Sequence, residues 1–251
     1  MYALSTKQEW FDQLLPKGIP TPSSILLSGP GGSGKPLIGN TFIAEWLREG
    51  GSVIFMSLQY PDHSFIVAGM ENVAQLDLDD YMEKTAFIEL DTEIDGVKIT
   101  NGNHIKANVV KPDIWDEAIT TASAMLPEEG PGILIFVSAL NLLLFSPTYG
   151  KAILEKMKSS AQNEKRYTYL FSASTTAKAE EIAELEDVVD HLILTRSTKS
   201  PFQLYLRLGR IKGVPFDSKE ILVPFPQDVL MEVKEIADHS RKKVIPEISK
   251  I

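Results

Sequence analysis

Residues 29–36 read Gly29-Pro30-Gly31-Gly32-Ser33-Gly34-Lys35-Pro36. Glycines at this spacing let backbone N–H groups close around a phosphate chain, and the lysine beside them reaches the terminal phosphates. The pattern G-x-x-x-x-G-K-[ST] is met at seven of its eight positions. The exception is Pro36, which stands where a serine or threonine hydroxyl would ligate Mg²⁺. Proline has neither that hydroxyl nor a backbone N–H. Losing one charge-assisted hydrogen bond costs about 1.5–3 kcal/mol, roughly ten- to a hundredfold in affinity. All eight residues are candidate phosphate-binding positions, and the pattern predicts weakened binding with poor Mg²⁺ dependence.

Such a loop needs a strand before it and a helix after it. The apolar run at 24–28 supplies the strand. Leu37, Ile38, Phe42, Ile43, Trp46 and Leu47 then mark the buried face of a helix over 35–49, which Gly50-Gly51 stops. Proline is tolerated in a first helical turn, so Pro36 leaves that helix standing. The runs at 53–58 and 133–137 read as strands covered on both faces. Further strands are predicted at 86–90, 167–172, 191–195, 202–211 and 221–225. Helices are predicted at 62–75, 149–164, 178–187 and 227–243, and from an Asp113 cap to about 126, with 244–251 loosely held. Asp95-Gly96 and Asn101-Gly102 are turn signals, so 91–111 reads as a β-hairpin excursion from the core. Alternating strands and helices imply an α/β fold, a mainly parallel twisted sheet with helices on both faces. Ligands of such sheets bind at the carboxyl ends of the strands, where the glycine loop falls.

The chain has 251 residues, 43% hydrophobic and 24% charged, which suits one large α/β domain over 1–251. Its core spans about 14–225. With no cysteine there is no disulfide, cysteine-based zinc site or cysteine nucleophile. No secretory leader and no membrane span is apparent, so a cytoplasmic location is expected. The net charge of −9 argues against a nucleic-acid partner. The dense basic run Arg241-Lys242-Lys243 fits a solvated helix end.

Three stretches carry a family resemblance. One is Gly18-Ile19-Pro20 with Ile25-Leu26-Leu27-Ser28-Gly29, running straight into the loop. Another is Ser52-Val53-Ile54-Phe55-Met56-Ser57-Leu58. The last is Ala183-Glu184-Leu185-Glu186-Asp187-Val188-Val189-Asp190-His191-Leu192-Ile193, followed by Leu206-Arg207-Leu208-Gly209-Arg210-Ile211-Lys212-Gly213. In this order the chain resembles the RecA-like P-loop ATPases, most closely the KaiC-like branch. The resemblance implies a RecA-like P-loop fold and ATP or ADP as ligand. It also implies assembly with its own copies or with a related ATPase.

The resemblance further implies positions for a metal carboxylate, a general base and an inter-subunit cation. The carboxylate should end the strand near Ile133-Leu134-Ile135-Phe136-Val137-Ser138, with Val137 at the aspartate. No carboxylate occurs anywhere in 133–146. The catalytic glutamate of the family maps to Leu58-Gln59-Tyr60-Pro61. Gln59 can orient water but cannot take its proton, and Asp62 is the nearest acid. Arg210 and Lys212 match, in reversed order, the family's lysine and arginine that reach a neighbouring subunit's γ-phosphate. No catalytic and no metal residue is therefore assigned. The expectation is an ATPase homologue without efficient hydrolysis, serving as a binding or assembly module. The alternatives are a slow ATPase with atypical metal and base residues, or a structural subunit that binds no nucleotide.

Four histidines, at 63, 104, 191 and 239, lack metal-ligand spacing. Glu180, Glu181, Glu184 and Glu186 read as an exposed helix face. Ser172, Ser174, Thr175 and Thr176 end a strand near the expected phosphate site. Trp10, Trp115, Phe145 and Tyr149 are assigned to the core.

Overall fold

The computed structural model describes residues 2–58, 63–226, 229 and 240–251. Its strands are β1 (Tyr2–Leu4), β2 (Ile19–Thr21), β3 (Ser24–Gly29), β4 (Ser52–Ser57), β5 (Thr85–Leu90) and β6 (Val97–Asn101). They continue with β7 (His104–Ala107), β8 (Ile133–Ser138), β9 (Thr168–Ser174), β10 (His191–Lys199), β11 (Phe202–Ile211) and β12 (Ile221–Val223). The α-helices are α1 (Glu9–Asp12), α2 (Lys35–Arg48), α3 (Ser64–Ala74), α4 (Pro112–Ser123), α5 (Gly150–Asn163), α6 (Ala179–Val188) and α7 (Ile245–Ile248).

Ten strands form one sheet in the order β12-β11-β10-β3-β9-β8-β4-β5-β7-β6. Seven of them, from β10 to β7, run parallel. At one rim β11 is antiparallel to β10 and β12 to β11, and at the other β6 is antiparallel to β7. β1 and β2 form a separate two-stranded ribbon.

The central strands are continuously apolar because both faces are covered. Leu27, Phe55, Phe87, Leu134 and Phe136 pack in one layer with Ile38 and Phe42 of α2 and Met70 of α3. Leu26, Ile54, Ile88, Ile135 and Val137 pack in the opposite layer with Trp115 of α4, Ile153 of α5 and Leu185 of α6. α2 is buried along nearly its whole length, so the helix that follows the glycine loop is the central one of its layer. Trp115 is fully buried, whereas Trp10, Phe145 and Tyr149 are partly buried at the edges of the two layers.

Several elements differ from the pattern-based expectation. Asp113 is not the cap of α4. The helix starts two residues earlier because Pro112 takes its first position, with extended Lys111 as N-cap. β10 continues to Lys199, since every residue from His191 onward finds a partner on β11. The 91–111 segment does form a hairpin, but β7 joins the main sheet parallel to β5. Residues 244–251 are not loose: Ile248 is fully buried and Val244 nearly so, both against the α4–α6 layer. Residues 59–61 of the expected turn at 58–61, Asp62, and most of the expected helix at 227–243 lie outside the described residues.

Candidate functional site

The glycine loop leaves the carboxyl end of β3, between β10 and β9. Gly34 is the N-cap of α2 at φ +69°, a left-handed conformation that glycine adopts without strain. Pro36 follows in the first turn, where the helix has no internal partner for an N–H. A Cβ built on Gly32 would meet nothing within 4 Å, so the crest of the loop is open on its outer side.

A hydroxyl pair supports the loop from below. Ser33 Oγ lies 2.8 Å from Pro30 O and 2.7 Å from Thr195 Oγ1 on β10. Thr195 Oγ1 in turn donates to Ser28 O at 3.2 Å. Thr195 went unnoticed in the sequence. A threonine inside a strand carries no spacing signal, and only the adjacency of β10 to β3 brings it here.

Lys35 is turned inward. Its Nζ donates to Gly29 O at 2.9 Å, to Pro30 O at 2.8 Å and to Ser33 Oγ at 3.1 Å. The side chain is buried, and burial pushes the amine down from 10.5 to about 7. The group that would grip phosphates is thus held by oxygens of its own loop.

One loop amide is also engaged. Gly31 N–H donates to Thr176 Oγ1 at 2.8 Å. Thr176 N–H donates to Ser174 Oγ at 3.3 Å, and Ser174 N–H donates to Asn141 Oδ1 at 2.8 Å. Thr175 N–H reaches Gly29 O at 3.0 Å. These bonds make a polar chain from the glycine loop across the end of β9 to the segment after β8. Ser174, Thr175 and Thr176 therefore meet the loop, while Ser172 stays buried within its strand.

At the end of β8, Val137, the position that the resemblance matches to the aspartate, has its side chain fully buried in the layer facing away from α2. Phe136 faces α2: a Cβ built on Gly39 would lie 2.9 Å from Phe136 Cε2. Successive strand residues point to opposite faces, so Ser138 shares the α2 face with Phe136. Ser138 is the residue that ends β8 toward the loop-helix side. Its Oγ accepts the Leu58 N–H at 3.3 Å. The absence of any carboxylate from 133–146 does not depend on this register.

The metal test is negative on the residues present. Pro36 has no hydroxyl and Ser138 no charge. Among the described residues no group of three or more His, Asp or Glu side chains is placed to hold a cation. Gln59 and Asp62, the positions weighed for water activation, lie outside the described residues.

Arg210 and Lys212 sit at the far end of the sheet from the loop. Arg210 pairs with Leu192 at the start of β10, level with Leu26, whereas the loop leaves from Gly29. The Arg210 guanidinium donates to Glu186 O and, at 2.9 Å, to Val189 O, closing the carboxyl end of α6. Lys212 Nζ pairs with Asp190 at 2.9 Å and keeps 58% of its side chain exposed. Glu186 departs from the exposed-face reading, because its carboxylate accepts the hydroxyl of buried Ser28, the residue before the loop.

No helix among the described residues is long and apolar enough to cross a membrane. None of the curated proteins matches the chain in sequence. Many solved structures share its fold, among them two from Pyrococcus horikoshii. KaiC-like protein PH0186 of the hyperthermophilic archaeon Pyrococcus horikoshii OT3 aligns at TM-score 0.65 and 16% identity, covering 88% of this chain and 94% of its own. Uncharacterized protein PH0321 of Pyrococcus horikoshii, solved in complex with an unknown peptide, aligns at TM-score 0.63 and 16% identity, covering 88% and 99%. With the P-loop at the end of β3 and this sheet order, the fold is RecA-like. Residues 4–194 match the family described as ATPase: KaiC, which takes in the loop, α2 and all of the parallel sheet up to mid-β10. The chain belongs to the KaiC ATPase family.

Proposed function

We propose that this KaiC-family domain holds ATP or ADP weakly on residues 29–36 and serves as an assembly or regulatory module without efficient hydrolysis. The observation that carries the reading is the self-occupied cradle: Lys35 bound by Gly29 O, Pro30 O and Ser33 Oγ, with Gly31 N–H bound by Thr176. An incoming phosphate chain has to replace these bonds, so its net gain is small. The open face at Gly32 leaves it room to enter. Turnover additionally needs a charged metal ligand and a base. Neither Pro36 nor Ser138 supplies the first, and Gln59 cannot supply the second. Lys212, with its exposed ammonium, is the better placed of the two strand cations to reach a neighbouring subunit.

Calorimetric titration with ATP, with and without Mg²⁺, tests the reading. Binding that is insensitive to Mg²⁺ and unaccompanied by phosphate release supports it. Phosphate release above a Lys35→Ala control points instead to a slow ATPase using Asp62. No binding at millimolar ATP points to a structural subunit.

The same titration has a pH signature. Phosphate is gripped by protonated Lys35, and burial places that amine at about 7 before ligand arrives. Affinity is expected to fall as pH rises above 7, by up to about tenfold per unit, with proton uptake on binding. Lys35→Ala removes the slope. Without ligand the sign is opposite. The unfolded lysine holds its proton to 10.5 and the folded one only to about 7. Stability therefore rises with pH between those values and is lowest below 7, relative to Lys35→Met. Thr176→Val should free the Gly31 amide. Pyrophosphate affinity should then rise about two- to tenfold, the worth of one net hydrogen bond.

A further inference from the structure

The β6 rim ends two rows of side chains that cross the sheet. On the α4 face the row is Ile88, Ile105, Ile99. Ile88 and Ile105 are fully buried, but Ile99 is 55% exposed. On the other face the row is Glu89, Lys106, Lys98. The two lysines stand directly opposite each other, an arrangement like charges resist. Neither forms a salt bridge among the described residues. β7 pairs with one side of β6, and among the described residues no strand pairs with the other. A rim strand keeps unpaired N–H and C=O groups along its outer side.

We propose that β6 accepts one further strand from a partner protein, an extended segment in which acidic and apolar residues alternate. The alternation follows from the strand period of two. Acidic side chains continue the row of Glu89, Lys106 and Lys98 and neutralise its two lysines. Apolar side chains on the other face cover Ile99. Main-chain bonds supply affinity, and the two rows supply sequence preference. A second copy of this chain is a poor occupant, because its own Lys98 and Lys106 would add charge of the same sign beside the first pair.

The test uses the full chain and a fluorescein-labelled Glu-Val-Glu-Val-Glu-Val-Glu peptide. Anisotropy should show saturable binding, and amide exchange should slow at 97–101. Lys98→Glu and Ile99→Asp should each weaken binding about five- to tenfold while melting like the parent chain. Peptide N-methylated at alternate amides should not bind. The proposal is overturned by equal affinity for the parent chain and Lys98→Glu, no binding at millimolar peptide, slowed exchange at β12 instead of β6, or protein-concentration-dependent protection of 97–101 without peptide. The last would assign the rim to self-association. Binding of single-stranded oligodeoxythymidine to Lys98 in preference to the peptide would likewise sink it.

Discussion

Val137→Asp is expected to destabilise the protein by about 3–5 kcal/mol, the usual cost of an unpaired buried charge. Val137 is fully buried, among Ile135, Met56 and other apolar side chains. The new carboxyl can avoid ionising only by keeping its proton, so the loss should grow as pH rises. Ser138→Asp is the contrasting variant. Its side chain leaves the strand on the α2 face, and the Leu58 N–H already points at the oxygen it replaces. It should cost less than Val137→Asp in urea unfolding. Combined with Pro36→Thr, it should also make ATP-induced stabilisation respond to Mg²⁺. A Val137→Asp chain that is the more stable of the two, or that gains the Mg²⁺ response in its place, would show that the β8 register is shifted by one residue from that described here.

Gly29→Ala is expected to cost about 3 kcal/mol, the upper part of the range for overpacking. A Cβ at this position would lie 2.1 Å from Thr195 O, a backbone atom that cannot swing aside. Relief requires β10 to move away from β3. That movement also pulls Thr195 from Ser33 and from Ser28 O, so the loop should lose its support together with the sheet. Urea denaturation should give a lower midpoint with an unchanged slope. Gly32→Ala is the internal control on space: its φ of +74° strains an alanine, but its Cβ would touch nothing within 4 Å, so it should cost less than Gly29→Ala. Parity of the two variants would refute the close-approach argument.

The parts of the fold that were legible in the chain are those with a strong local signal. The glycine spacing fixes a loop between β3 and α2, and the apolar runs fix the covered strands. The β8 register was not legible. All six of its residues are buried, so no alternation distinguishes the two faces. β1 and β2 have three residues each, too few to show a period. Glu186 looked solvent-facing because it sits in an acid-rich helix. Only the approach of α6 to β3 reveals that its carboxylate is used. Thr195 and Asn141 reach the loop through strand order, which no local pattern encodes.

Glu186 joins two distant parts of the molecule: its carbonyl receives Arg210 and its carboxylate receives Ser28. A neighbouring subunit that drew the guanidinium outward would unfasten the last turn of α6. The tether on the strand beneath the glycines would slacken with it. Any contact between subunits at this rim would then bear on the strand beneath the glycines through one half-buried carboxylate.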